Sequence, residues 1–249
     1  MDCGGDFTDR LFSRVANFEG LKALDIGCGT GDIAFRLAEL VGANGHVTAI
    51  DINRDALEVA KGRASDRDLK NINFKAESIE DLAQSEYKFD IVTCRRVLMY
   101  LPNQVESMRI VRNALKPNGR LLIQEHDATV MQSSVNLPLH AKARAWIWDT
   151  VKAEGANLGT GFDLYSILAD AGFAHCEIMV EAVVETPAQT SQTVNIVRAL
   201  IPRIVKAEVA TEEEIQVETL ENRLIAERKE KNATFVKELV FGAIAHNGN

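Results

Sequence analysis

The chain has 249 residues and a formal net charge of −8. Its length suits one large α/β domain, and an acidic chain with no long run of Lys or Arg is a poor match for nucleic acid. The four cysteines (Cys3, Cys28, Cys94, Cys176) form no C-x-x-C pair, and no run approaches the ~20 apolar residues of a membrane span. We therefore expect a cytoplasmic protein that binds no structural metal, membrane or nucleic acid.

Short apolar segments alternate with helical patterns in the first half of the chain. The predicted strands there are Lys22–Ile26, His46–Ile50, Asn71–Ala76, Phe89–Cys94 and Arg120–Gln124. A turn at Lys116–Gly119, which contains Pro and Gly, precedes the fifth strand. Strands that are apolar throughout and separated by helices are typical of a parallel sheet covered on both faces. Such sheets bind ligands beyond the carboxyl ends of their strands.

The second half is less regular. The pattern predicts helices from Pro138 to Ala153 and over Phe162–Ala171, strands at His175–Glu185 and Ala233–Ala245, and a helical insert over residues 187–231. Thr211 and Glu214 form a capping box inside the insert. The first helix of the insert, which contains Ile196, Leu200 and Ile204, has apolar residues on nearly all its faces. We therefore expect it to pack against the second insert helix, over an acceptor pocket, or against another subunit of a homodimer.

These patterns predict a single domain over residues 1–249. Residues 1–127 would form a cofactor-binding core, and residues 128–249 would form an acceptor-side half that contains the insert.

Three glycines directly follow the first predicted strand, at Gly27, Gly29 and Gly31. A dinucleotide fingerprint needs another glycine where Asp32 stands, and a triphosphate loop needs a lysine that is missing. Acidic residues flank the turn and would repel a phosphate, whereas a cationic ligand would be attracted. S-adenosylmethionine carries a sulfonium and an ammonium group and no phosphate. Glycines would let the backbone approach such a ligand closely.

Acidic residues also follow the next two strands. Asp51 comes twenty residues after Gly31, where a carboxylate accepts hydrogen bonds from both ribose hydroxyls, and Glu77 is placed for the exocyclic amine of adenine. Taken singly, these features have structural interpretations: a connecting turn, the neighbour of a helix cap, a solvated loop acid. Their common position at strand ends favours one binding site.

These residues, together with Phe89–Val92 and Leu115–Arg120, resemble the class I S-adenosylmethionine-dependent methyltransferases over about residues 10–127. The resemblance implies a Rossmann-like α/β fold: a seven-stranded, mostly parallel sheet with helices on both faces, a helical insert and a last antiparallel strand. It also implies the cofactor residues. Asp25 and the glycine turn, with Cys28, would lie at the methionine end, near Cys94 and Arg95 just after the fourth strand. Asp51 would hold ribose, Ile52 would lie against adenine, and Glu77 and Ser78 would hold the adenine edge.

The residues after the fifth strand are candidates for the acceptor site. His126 is a candidate general base, because the ordinary pKa of a histidine side chain lies near neutral pH, and a base is needed when the acceptor atom carries a proton; Glu125 or Asp127 would orient it or contact the acceptor. His140 and Trp146 are further acceptor-site candidates. The structural alternatives are a hydrogen-bonding histidine and a core tryptophan.

The sequence thus predicts a methyltransferase that uses S-adenosylmethionine and acts on a small, partly apolar metabolite by in-line displacement. A non-catalytic module that binds S-adenosylmethionine and regulates a partner is one alternative. A second is an NAD-dependent oxidoreductase, which Asp25 and the missing third glycine disfavour.

Overall fold

The computed structural model describes residues 3–188 and 193–248, which form two compact units. Over those residues the first unit comprises Met1–Glu125, Thr160–Val180 and Val240–Asn249, and the second comprises His126–Gly159 and Glu181–Leu239. The first unit therefore extends beyond the predicted core of residues 1–127 by taking in two later segments. The single-domain organisation stays a prediction.

The described residues contain eight strands in one sheet. They are β1 (Lys22–Ile26), β2 (His46–Ile50), β3 (Ile72–Lys75), β4 (Phe89–Arg95), β5 (Leu115–Asp127), β6 (Gln132–Ser133), β7 (Ala174–Glu185) and β8 (Phe235–His246). Their order is β3-β2-β1-β4-β5-β8-β6, and β7 also pairs with β8. The pairs among β1 to β5 are parallel, and β6 pairs with β8 antiparallel.

The predicted α/β class and mostly parallel sheet are confirmed. The bounds of β1 and β2 match the prediction because each is a short apolar run between glycines or polar residues. The sheet has eight strands rather than seven, since the two residues of β6 are too few to produce an alternating pattern.

Helices flank these strands in the chain. The first unit contains α1 (Cys3–Ser13), α2 (Asp32–Val41), α3 (Arg54–Asp66), α4 (Ile79–Leu82), α5 (Gln104–Ala114) and α7 (Thr160–Asp170); the second contains α6 (Pro138–Ala153), α8 (Thr193–Lys206), α9 (Glu212–Ile215) and α10 (Val217–Lys231). A 3-10 turn at Leu98–Tyr100 follows β4. The core of the first unit joins the apolar stripe of α2 to inward side chains of β1 and β2, including Leu37, Val41, Ala23 and Val47.

The predicted turn at Lys116–Gly119 is wrong, because these residues lie inside β5. The pairing register of β4 and β5 shifts between Phe89 and Ile91, and Asn118 adopts a left-handed conformation with φ 61°. The amide of Asn118 donates to the Asn247 carbonyl, and the Asn247 amide donates to the Gly119 carbonyl. A β-bulge uses the same Pro, Asn and Gly chemistry as a turn, so local sequence does not separate the two.

The insert helices build the core of the second unit. Buried apolar side chains of α6, α8 and α10 meet there, including Ile147, Val197, Ile204, Leu220 and Leu224. The first insert helix therefore packs against the second, the first of the three expected arrangements, while its Ile196 and Val205 remain 38% and 43% exposed.

The predicted capping box is confirmed at the start of α9. The Glu214 amide donates to Thr211 Oγ1 (3.2 Å), and the Thr211 amide donates to Glu214 Oε2 (3.0 Å). These bonds satisfy two amide groups at a helix start that otherwise have no intrahelical partner.

We expect Thr211→Ala to lower the free energy of unfolding by about 1 kcal/mol, because the N-cap acceptor is lost. Urea denaturation of the full chain, followed by circular dichroism, measures the difference. Thr211→Ser keeps the hydroxyl and should remain close to wild type. Equal losses in both variants would contradict the capping explanation.

Candidate functional site

The glycine turn between β1 and α2 leaves part of its backbone open. Gly27 and Gly29 have φ values of +65° and +51°, in the left-handed region that side chains disfavour. A Cβ on Gly27 would lie 2.2 Å from Val97 Cγ2, so close packing requires glycine there. A Cβ on Gly29 would meet nothing within 4 Å. The backbone at Gly29 is therefore accessible to a ligand.

Cys28 lies within this turn, and its side chain belongs to the apolar core of the first unit. It is buried, and burial raises the pKa of its thiol, with the charges of Asp25 and Asp51 acting in the same direction. A thiol that resists ionisation is a poor nucleophile. Cys28 therefore contributes packing to the turn, and any contact with a cofactor would come through its backbone.

Asp51 ties the end of β2 to the glycine turn. Its Oδ2 accepts from the Gly29 amide (2.7 Å), and its Oδ1 accepts from the Asn53 amide (2.8 Å). A carboxylate offers about four lone-pair sites, so two acceptor positions remain for ribose hydroxyls. The adjacent Ile52 side chain is 79% exposed. The ribose role of Asp51 and the adenine contact of Ile52 stay predictions.

Asp25 is a buried carboxylate on β1. Its Oδ1 accepts from Thr93 Oγ1 on β4 (2.8 Å), whereas its Oδ2 has no hydrogen-bond partner among the described residues. Burial raises the pKa of Asp25 to about 7, against the lowering effects of the Thr93 hydrogen bond and the Arg95 charge. Oδ2 of Asp25 is therefore available to accept a hydrogen bond from a ligand.

Glu125 is a second buried carboxylate, at the end of the first unit's part of β5. Its Oε1 accepts from the amides of Val97 (2.8 Å) and Leu98 (2.7 Å), and its Oε2 has no hydrogen-bond partner among the described residues. Burial raises the pKa of Glu125 to about 7, although the bonds from both amides lower it. Glu125 therefore fastens the turn after β4, a role that the sequence did not indicate.

Cys94 and Arg95 are the last residues of β4, whereas the sequence predicted a strand that ends at Cys94. Cys94 pairs in register with Ile26 of β1 and with Ile123 of β5. Burial raises the pKa of its thiol, and the charges of Glu125 and Asp25 raise it further. The two buried carboxylates thus act on one side chain from the strands that flank β4. Such a site suits a cationic ligand.

Glu77 and Ser78 both have partners at the end of β3. Glu77 Oε1 lies 3.1 Å from Lys75 Nζ. The Ser78 amide donates to Asp81 Oδ2 (2.8 Å), in the capping box that starts α4. Both residues are half-buried, so part of each side chain remains accessible to a ligand. Their contact with the adenine edge stays a prediction.

The predicted base His126 belongs to the second unit and lies beside an acid that the sequence did not indicate. His126 Nδ1 is 3.3 Å from Glu238 Oε1 on β8. The expected orienting acids have other contacts: Glu125 holds the turn after β4, and Asp127 Oδ1 accepts from the amide and the hydroxyl of Thr129. A carboxylate beside Nδ1 favours a proton on that nitrogen, and Nε2 is then the basic one.

His140 is buried at the start of α6 and has its own carboxylate. His140 Nδ1 lies 2.7 Å from Glu227 Oε2 on α10, and its ring meets the Phe235 ring edge-on at 4.8 Å. Burial lowers the pKa of His140, although the Glu227 hydrogen bond raises it. The imidazole is therefore favoured in its neutral form at neutral pH.

Trp146 packs as a core residue. Its indole is 2% exposed, and it belongs to the apolar cluster shared by α6, α8 and α10. The structural alternative given for this tryptophan thus matches its position, and an acceptor contact for it stays a prediction.

The sequence missed Glu238, Glu227 and Arg144 as members of polar clusters in the second unit. Glu238 stands in the apolar β8 run FVKELVFGAIA, where a buried charge is unusual, and Arg144 follows His140 by one helical turn. These are weak signals, since neither identifies a partner.

Two negative findings apply to the residues that the structure describes. Among them, no group of His, Cys, Asp and Glu has the arrangement of a metal site. The helices of this part of the chain include none with the length and apolar character needed to cross a bilayer.

Comparisons with known proteins address the family. A family model described as "Methyltransferase domain" matches residues 17–172, more than half of the chain. A demethylmenaquinone methyltransferase of Lactococcus lactis is 32% identical over 134 residues, covering 54% of this chain and 51% of that protein. A ubiquinone/menaquinone biosynthesis C-methyltransferase of Brucella anthropi is 33% identical over 154 residues, covering 61% of this chain and 56% of that protein. The matches thus span little more than half of these relatives' length.

The fold also matches a solved structure along its whole length. The crystal structure of the YcgJ protein from Bacillus subtilis aligns with a TM-score of 0.64 and 15% identity, covering 99% of each chain. At this identity the likeness establishes the fold alone.

We expect Asp25 to make the protein less stable as pH rises from about 4 to about 7. The folded-state pKa of Asp25 is raised from 3.8 to about 7, so its favourable contribution is complete below pH 4 and is lost as the carboxyl ionises. The free energy of unfolding of Asp25→Asn, measured by urea denaturation across this range, should fall less steeply than that of wild type.

Asp66→Asn, at an exposed carboxylate at the end of α3, is the matched control. An Asp25→Asn slope equal to that of wild type would show that Asp25 does not titrate in this window.

Proposed function

Because the chain belongs to the methyltransferase domain family, we propose that it transfers a methyl group from S-adenosylmethionine to a small, partly apolar metabolite by in-line displacement. The observation that carries this proposal is the pair of buried carboxylates Asp25 and Glu125, each with one oxygen that lacks a hydrogen-bond partner among the described residues. A cationic ligand satisfies such oxygens, and a phosphate is repelled by them. Bound S-adenosylmethionine supplies an electrophilic methyl group on a sulfonium.

Different residues of the first unit would bind different parts of the cofactor. Asp25 and Glu125 would accept hydrogen bonds from its ammonium group, the open backbone at Gly29 would lie against it, and Asp51 would accept from its ribose hydroxyls. Ile52 would cover one face of adenine, and Glu77 with Ser78 would hold its edge. The charge of Arg95, at the end of β4, lowers the pKa of Asp25 and so favours its ionised form. Asp51 and Glu125 already accept hydrogen bonds from backbone amides, which supports this arrangement, because side chains held in place lose little entropy on binding.

His126 and the other acceptor-site candidates position and deprotonate the acceptor. Alignment of the reacting atoms lowers a barrier of this kind by ~7–11 kcal/mol, so positioning is their main contribution. His126 takes the proton when the acceptor atom carries one. The Glu238 carboxylate beside His126 Nδ1 supports this role, because it orients the ring and stabilises the imidazolium.

The relatives support the reaction class and say less about the acceptor. Their names specify methyl transfer to a menaquinone precursor and methyl transfer to carbon. The matched segments cover only 51% and 56% of those proteins, so we adopt methyl transfer and do not adopt their quinone substrates.

We also place the protein in the cytoplasm, without nucleic acid or membrane as a partner, and a homodimer is one assembly that would cover the exposed face of α8. Cys28, Cys94 and Cys176 form no disulfide with one another, which fits a reducing compartment. The net charge of −8 opposes a phosphate backbone. The exposed apolar Ile196 and Val205 on α8 offer a surface for a second subunit.

We expect the full chain to bind S-adenosylhomocysteine at micromolar strength and Asp51→Ala to weaken that binding at least 10-fold, because two charge-assisted hydrogen bonds are lost. Isothermal titration calorimetry measures both values, with NAD as the parallel ligand. Affinity should also fall below pH 7, where Asp25 and Glu125 gain protons.

Asp66→Ala, at an exposed acid on the far end of α3, serves as the control and should bind normally. Asp51→Asn keeps one acceptor oxygen for the backbone amides of the turn. Comparing it with Asp51→Ala therefore separates the loss of ligand contacts from the loss of the turn's own hydrogen bonds. Binding of NAD alone would overturn the methyltransferase proposal and its cofactor residues together.

We expect His126→Gln to reduce turnover by about 10²- to 10⁴-fold when the acceptor is a hydroxyl, the range for loss of a general base. The measurement is release of S-adenosylhomocysteine with hydroxylated metabolites as acceptors. S-adenosylhomocysteine binding should be unchanged, because His126 lies outside the cofactor residues. Full turnover in this variant would remove His126 from the mechanism.

A further inference from the structure

Two polar side chains of α6 turn into the second unit one helical turn apart. His140 is 5% exposed and Arg144 is half-buried, and residues spaced i, i+4 lie on the same face of a helix. Both carry buried nitrogen atoms that have no hydrogen-bond partner among the described residues.

Arg144 presents an unsatisfied fork. Its Nε and Nη2 are inaccessible to solvent and make no hydrogen bond within the described part of the chain. These two nitrogens hold parallel N–H bonds on one side of the planar guanidinium, the geometry that matches both oxygens of a carboxylate. A buried guanidinium keeps its charge, so leaving these donors unmet carries a large desolvation cost. A bound anion offsets that cost.

The acids near Arg144 have closer partners of their own. Glu238 lies beside His126 (3.3 Å) and Lys237 (4.0 Å), and Asp127 accepts from Thr129. Burial lowers the pKa of Arg144, and the charges of Glu238, Asp127 and Asp149 raise it. These acids keep the guanidinium charged without occupying its fork, and they disfavour a ligand of charge −2.

His140 presents a single acceptor. Glu227 is fixed in place because it also accepts from the amides of Leu139 (2.9 Å) and His140 (3.0 Å). It therefore holds the proton of the neutral ring on Nδ1, 2.7 Å away. Nε2 then carries a lone pair, buried and without a partner among the described residues. A ligand hydroxyl satisfies this atom.

We propose that Arg144 and His140 form a binding subsite for a small organic carboxylate that also carries a hydroxyl group. The carboxylate takes two parallel N–H bonds from Arg144, and the hydroxyl donates to His140 Nε2. The edge of the Phe235 ring beside His140 adds an apolar contact for an aromatic or short aliphatic skeleton. Naming this ligand as the methyl acceptor rests on the proposed function, whereas the binding of a carboxylate does not.

The test uses ligand-observed NMR titration of the full chain with 3-hydroxybenzoate, benzoate and 3-hydroxybenzyl alcohol. Wild type should bind 3-hydroxybenzoate most tightly, since each of the other probes lacks one recognised group. Arg144→Gln should weaken 3-hydroxybenzoate and benzoate by about 10- to 100-fold, the effect of losing charge-assisted hydrogen bonds. Arg144→Lys keeps the charge but loses the fork, and it should recover only part of the affinity. His140→Gln should weaken 3-hydroxybenzoate and leave benzoate unchanged.

S-adenosylhomocysteine titration of each variant provides the control for folding, because its predicted residues lie in the first unit. Arg144→Gln with unchanged carboxylate binding, or with lower stability as its sole effect, would show an internal ion pair and overturn the proposal. Equal binding of all three probes by wild type would overturn it as well. Carboxylate binding that depends on Arg144 in a protein that does not bind S-adenosylhomocysteine would instead refute the proposed function and leave this subsite standing.

Discussion

The first unit depends on the carboxylate of Glu125, which holds the amides of Val97 and Leu98 from within the sheet. Val97 in turn packs where a side chain on Gly27 would stand, so the turn after β4 sets the position of the glycine turn. The Gly29 amide is held from the other side by Asp51. The ends of β4, β1 and β2 are thus linked by two carboxylates that accept from backbone amides and by the packing of the Val97 side chain against the glycine turn.

In the second unit, several buried charged side chains contact one another. Ion pairs run from Arg228 to Glu185 (2.6 Å), then at 4.0 Å through Lys237 to Glu238, and on to His126. Buried ion pairs contribute little net stability, because desolvation cancels much of the Coulombic attraction. The apolar contacts of α6, α8 and α10 hold the unit together instead.

Family membership and fold constrain the function unequally. The match over residues 17–172 covers the glycine turn and the acids at the strand ends, so it bears on the methyl donor. It stops before the insert helices and β8, which contribute Glu227 and Glu238. Since one fold hosts many chemistries, the match does not identify the acceptor, and the acids beside His126 and His140 lie outside it.

The sequence by itself determined the features that depend on neighbouring residues: β1 and β2, the glycine turn, the acids at strand ends and the capping box at Thr211. Each follows from a local pattern of apolar spacing or hydrogen-bonding side chains. Only the tertiary structure decided the partners: Glu238 rather than Asp127 beside His126, Glu125 on the amides of the turn after β4, and a bulge instead of a turn at Asn118. Those contacts join residues far apart in the chain, and their free energy depends on burial, which no local pattern encodes.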